Sequence, residues 1–161
     1  MSAVYSAPMK TIRRLILLVL LAACTPIQSD ELLPFLSDGC SAFPDGSLQE
    51  KKAWLRCCVA HDYDYWKGGT YIERLESDSA LELCVSGSGE PEVAVLMLLG
   101  VRVGGSPFFP TTFRWGYGWD DVRFYAELNE QDQASVASHG AAKELIDLEW
   151  ERLSELEEWY E

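Results

Sequence analysis

The sequence predicts a mainly α-helical fold: an antiparallel, disulfide-crosslinked helix pair, then an aromatic loop region and an extra C-terminal amphipathic helix. Three observations carry this. Ser47-Leu48-Gln49-Glu50 and Thr70-Tyr71-Ile72-Glu73 both have the capping-box pattern that opens a helix. Lys67-Gly68-Gly69 lies between them as a helix stop, and so short a turn makes the two helices antiparallel neighbours. Four of the five cysteines, Cys40, Cys57, Cys58 and Cys84, fall on or beside this pair.

The elements follow in order. Lys10, Arg13 and Arg14 precede the apolar run Leu15–Leu21, which is too short to span a bilayer, so residues 1–23 read as a signal peptide. Leu21-Ala22-Ala23-Cys24 resembles a bacterial lipobox. That resemblance implies lipidation of Cys24 in an exported bacterial lipoprotein, and in a Gram-negative cell Thr25 after it suggests sorting to the outer membrane, at the periplasm. Residues 24–37 then read as a tether, and 38–46 (DGCSAFPDG) as a loop. The first helix is expected to run from the Ser47 box to about Trp66, and the second from Thr70 to about Ser86. Residues 92–103 (EVAVLMLLGVRV) are almost wholly apolar and suggest a buried or membrane-facing helix. Residues 104–119 mix six aromatics with four glycines and two prolines, which reads as a loop. Its aromatics suit either the core or a lipid interface, and Arg102 and Arg114 beside it suit phosphate groups or plain surface. Ile146, Trp150, Leu153, Leu156 and Tyr160 recur at helical spacing, which gives the C-terminal amphipathic helix.

Composition narrows the function. The chain has 161 residues, is 48% hydrophobic and carries a formal charge of −13, which argues against a nucleic-acid partner. Residues 126–161 hold eleven carboxylates against two basic residues, so this acidic helical extension reads as a solvated helix or a surface for an envelope protein partner. With Cys24 set aside, an even number of cysteines in an exported chain reads as two disulfides. Adjacent Cys57 and Cys58 would strain if bonded to each other, so each reaches outwards. A Cys/His zinc site is the weaker alternative.

The chemistry concentrates in Cys57-Cys58-Val59-Ala60-His61-Asp62-Tyr63-Asp64-Tyr65. On a helix, Cys57, His61 and Tyr65 share one face. His61 lies seven residues before Gly68 and Asp78 eight after Thr70. At the helical rise both sit roughly 11–12 Å from the turn, so Asp78 can face His61. The same count allows Cys84 to reach Cys57.

Cys-Cys-x-x-His-Asp-x-x-Tyr, preceded by the Gly/Cys loop and followed by Asp78-x5-Cys84, resembles the secreted phospholipase A2 family over about residues 38–86. The resemblance implies a phospholipase A2-like domain over 38–125, between the tether and the 126–161 extension. It implies that His61 is the base that deprotonates water, Asp78 its orienting partner, and Tyr65 a hydrogen-bond donor to that aspartate. It implies Ca²⁺ as cofactor, held by Asp62 with backbone carbonyls of Gly39, Ser41 and Phe43. It implies the pairs Cys40–Cys58 and Cys57–Cys84, and a phospholipid membrane as the place of action. Ala42-Phe43-Pro44 departs from that family's glycine-rich loop. The expected activity is Ca²⁺-dependent phospholipid hydrolysis. The rival is an envelope lipoprotein that keeps this scaffold for lipid or protein binding without turnover.

Overall fold

A computed structural model describes residues 30–158. The signal peptide, Cys24, the start of the tether and Tyr160 lie outside the described residues. Five helices form among those described: α1 Leu55–Lys67, α2 Tyr71–Gly87, α3 Pro91–Gly104, α4 Glu130–Ser138 and α5 Ala142–Glu158.

α1 begins later than its sequence pattern suggests. Ser47 Oγ does accept from Glu50 N–H at 3.0 Å, as in a capping box. Glu50 O, however, accepts from the N–H groups of both Ser47 and Ala53, which closes turns instead of a helix. Trp54 is buried and tied to the preceding loop. Its backbone N–H donates to Asp45 O at 3.1 Å and its indole to Pro44 O at 2.6 Å. Regular helix propagates only beyond that anchor.

α2 starts where expected, because its box is complete. Thr70 Oγ1 accepts from Glu73 N–H, and Glu73 Oε2 accepts from Thr70 N–H. Gly68 and Gly69 make the turn at φ +72° and +141°, a region that favours glycine. The pair is stapled as the family resemblance implies. Cys57 is bonded to Cys84 on α2, and Cys58 to Cys40 in the loop, with Cα–Cα distances of 5.8 and 5.0 Å.

α1 is the centre of the molecule and buries two faces. One packs Cys57 and Cys58 with Leu81, Val85, Ala94 and Met97 of α2 and α3. The other packs Leu55, Val59, Tyr63 and Trp66 against Leu32, Phe35 and Trp119. Leu32 and Phe35 belong to the segment read as a tether. Leu33 N–H donates to Gly118 O and Asp120 N–H to Glu31 O, so residues 30–37 pack along the fold, with Leu32, Phe35 and Ser37 buried. The aromatic segment is irregular as expected and divides by side chain: Trp115 and Trp119 are buried, whereas Phe108 and Phe109 are exposed.

α3 buries Ala94 and Met97 and exposes Val95, Leu99 and Val103. None of the described helices is long and apolar enough to cross a membrane. α5 lays Leu145, Ile146, Trp150 and Leu153 on the α1 cluster. α4 is an element the sequence reading missed, although Asn129 with Asp132 three residues on forms a capping box there.

Candidate active site

His61 and Tyr65, four residues apart on α1, both point at Asp78 on α2. His61 Nε2 lies 3.1 Å from Asp78 Oδ1, and Tyr65 O–H donates to the same oxygen at 2.7 Å. A carboxylate can only accept, so Nε2 carries the proton and Nδ1 is left with its lone pair. Nδ1 is 4.0 Å from Asp62 Oδ1, beyond hydrogen-bond reach. Burial and then the charge of Asp78 push the Tyr65 phenol well above its ordinary pKa, so it remains a donor.

Asp78 is fully buried and two arginines balance it. Arg102 Nε from α3 lies 3.3 Å from Oδ2, and Arg74 Nε from α2 lies 4.0 Å from the same oxygen. Arg74 also donates to the Tyr65 hydroxyl at 3.0 Å and to the last carbonyls of α3, Val101 O and Arg102 O, at 2.7 and 2.9 Å. The sequence reading missed Arg74, although its place four residues before Asp78 on one helix put both on the same face. Arg102, considered there for phosphate, turns inwards and also donates to Leu75 O and Ser79 Oγ.

His61 opens onto a cavity of about 400 Å³ whose wall is mostly apolar. Leu81, Leu96, Met97, Val101 and Phe113 line it, and Gly39, Ser41 and Phe43 form its loop side. Where α3 ends, Gly105 lies against Tyr65: a Cβ there would stand 2.5 Å from the phenolic oxygen. The backbone can thus close over the tyrosine only without a side chain at 105.

Asp62 lines a second cavity, of about 170 Å³, that it shares with Ser37, Asp38, Thr112 and Tyr117. Phe113 lines both cavities. Asp62 Oδ2 accepts from Ser37 Oγ at 2.6 Å. Burial raises the Asp62 pKa well above the ordinary carboxylate value, and the charges of Asp38 and Asp45 add to this. Burial, followed by the charges of Asp62, Asp38 and Glu149, likewise raises the Tyr117 phenol.

The loop between the cavities is held in an uncommon shape. Ser41 and Ala42 have φ of +28° and +62°. Asp45 Oδ1 accepts from Cys40 N–H at 2.8 Å, and Asp38 Oδ1 from Ser41 O–H at 2.6 Å. Both acids therefore shape the loop, whatever else they bind. The donors near Asp62 are oxygens, the type Ca²⁺ takes, and a cation there would relieve the cost of burying its charge. The described residues contain no group of three or more His, Cys, Asp or Glu side chains arranged for a metal. A calcium ion at Asp62 would therefore draw most of its six to eight ligands from carbonyls and water.

His139, the second histidine, is structural: its Nε2 lies 3.0 Å from Leu32 O and its ring stands edge-on to Trp66. Comparison with protein-family models, curated proteins and solved structures finds no match for this chain.

Proposed function

We propose that the chain is a calcium-dependent phospholipid hydrolase of the phospholipase A2 kind, releasing a fatty acid and a lysophospholipid. The observation that carries this reading is the His61–Asp78 contact of 3.1 Å at the wall of an apolar cavity of about 400 Å³. An acyl chain matches that lining, and the free Nδ1 of His61 provides a base beside it. The sn-2 ester is the bond that the sequence resemblance implies.

In this mechanism Nδ1 of His61 takes a proton from water as the water oxygen attacks the ester carbonyl. Asp78 steadies the imidazolium that forms, as the aspartate of a serine-protease triad does. The tetrahedral centre collapses, the C–O bond to the glycerol breaks, and His61 returns the proton to the leaving alkoxide. Tyr65, Arg74 and Arg102 hold the Asp78 carboxylate so that one oxygen always faces the imidazole. Asp62 and the 38–43 loop would hold Ca²⁺, which when bound supplies positive charge for the ester oxygen.

The test is fatty-acid release from phospholipid vesicles by the purified protein, with calcium or chelator. Chelator should abolish release, and His61→Gln should lower it by about 10²–10⁴-fold, the usual worth of a general base. Absence of release at every calcium concentration would overturn the reading.

A further inference from the structure

The C-terminal helix reaches the Asp62 side of the site through one residue, Ser37. Its N–H donates to Glu149 Oε2 at 2.9 Å, and its carbonyl accepts from Arg152 at 2.7 Å. Glu149 and Arg152, three residues apart on α5, pair at 2.7 Å. Both polar groups of the Ser37 backbone are therefore gripped by charged side chains, the stronger class of hydrogen bond. The Ser37 hydroxyl then donates to Asp62 Oδ2 at 2.6 Å and accepts from Gly39 N–H at 3.1 Å. Ser37 and Glu149 are only 5% and 8% exposed. Burying a glutamate is costly without partners, and α5 already has an apolar face for packing. A carboxylate turned inwards from an acidic helix whose apolar face already packs thus needs another explanation.

We propose that α5 is a clamp on the cation side of the site, with Glu149 and Arg152 as positioning residues that fix Ser37 and, through it, the Asp62 carboxylate that receives a hard divalent cation. The proposal rests on the reading of Asp62 as a calcium ligand. It gives the acidic extension a role inside the protein. The chain from helix to ligand is Glu149/Arg152, then the Ser37 backbone, then the Ser37 hydroxyl, then Asp62. Because Ser37 also receives Gly39 N–H, the same clamp sets the start of the 39–43 loop.

Calcium titration by calorimetry, paired with thermal unfolding in chelator, tests this on the whole protein. Ser37→Ala and Glu149→Gln are near-isosteric and should each weaken calcium binding about 10–100-fold, the usual effect of losing a group that orients a metal ligand. Arg152→Met should do the same and Arg152→Lys should recover part of it. Asp147→Asn, on the same helix but paired with Arg56 and Lys143, should lower melting temperature without changing calcium affinity. If the parent binds calcium and both near-isosteric variants bind within about twofold of it, the clamp is overturned while the hydrolase reading stands. A parent that binds no calcium overturns both. The two near-isosteric variants alone decide the outcome, so the test stands even where Arg152→Met does not fold.

Discussion

Asp62 and Asp78 are both buried, at 8% and 0% exposure, and both approach His61, yet the fold treats them in opposite ways. Asp78 sits among His61, Tyr65, Arg74 and Arg102, so its charge is balanced from within the protein. Among the described residues no lysine or arginine pairs with Asp62; its hydrogen bonds come from Ser37 and the Asp38 backbone, while the charges of Asp38 and Asp45 oppose its own. The supports differ too. Asp78 hangs on a capped helix that is stapled to α1. Asp62 faces a loop with two non-glycine residues at positive φ. Buried charges are paired or bind metals, and on that principle Asp78 has its cationic partners and Asp62 is suited to an incoming cation.

Substitution should separate the two. Asp78→Asn leaves Arg74, with 4% of its side chain exposed, and Arg102 facing a neutral group. Removing one partner of a buried ion pair costs about 3–5 kcal/mol, and urea unfolding should show a loss of that size. A loss no larger than that of a surface variant would break the comparison at its stronger side. Gly105→Ala should cost about 1–3 kcal/mol by overpacking, because the new Cβ meets Tyr65; activity should fall with it as Tyr65 is displaced from Asp78. Asp62→Asn should have the opposite sign. In chelator it removes a buried carboxylate that has no cationic partner and should stabilise by on the order of 1 kcal/mol, while thermal stabilisation by calcium is lost. Destabilisation in chelator would show that Asp62 is already balanced by the fold.

The legible half of the site was the half made of helix. Cys57, His61 and Tyr65 share a face at a spacing of four, and Gly68-Gly69 fixes where the partner helix turns, so Asp78 could be counted into place. What the sequence hid was contact between distant segments. Ser37 meets Glu149 across 112 positions, and Arg102 meets Asp78 from a third helix. No period links such residues. The apparent tether escaped for the same reason, since Leu32 and Phe35 find their partners on α1 and around Trp119. The later start of α1 has a different cause: local capping chemistry is present at Ser47, but the long-range anchoring of Trp54 overrides it.

Ser47 and Thr70 begin the same kind of pattern, and the pair turns that last point into a measurement. Thr70 caps a helix that carries Asp78, and its loss leaves Glu73 N–H without its acceptor. Thr70→Ala should cost about 1 kcal/mol with calcium affinity unchanged. Ser47→Ala removes only a turn contact and should cost a few tenths of that. Glu73 adds a pH signature. The backbone N–H of Thr70 is the main cause that lowers its pKa from the ordinary value of 4.5. A depressed carboxylate stabilises the fold above its unfolded pKa, and that contribution fades as pH falls through the folded value. Glu73 is solvent-exposed, so screening holds this below about 0.5 kcal/mol. Parent and Glu73→Gln should therefore differ slightly in melting temperature at pH 7 and converge as pH falls below 4.5. A difference that persists in acid would place the capping energy in geometry, not charge.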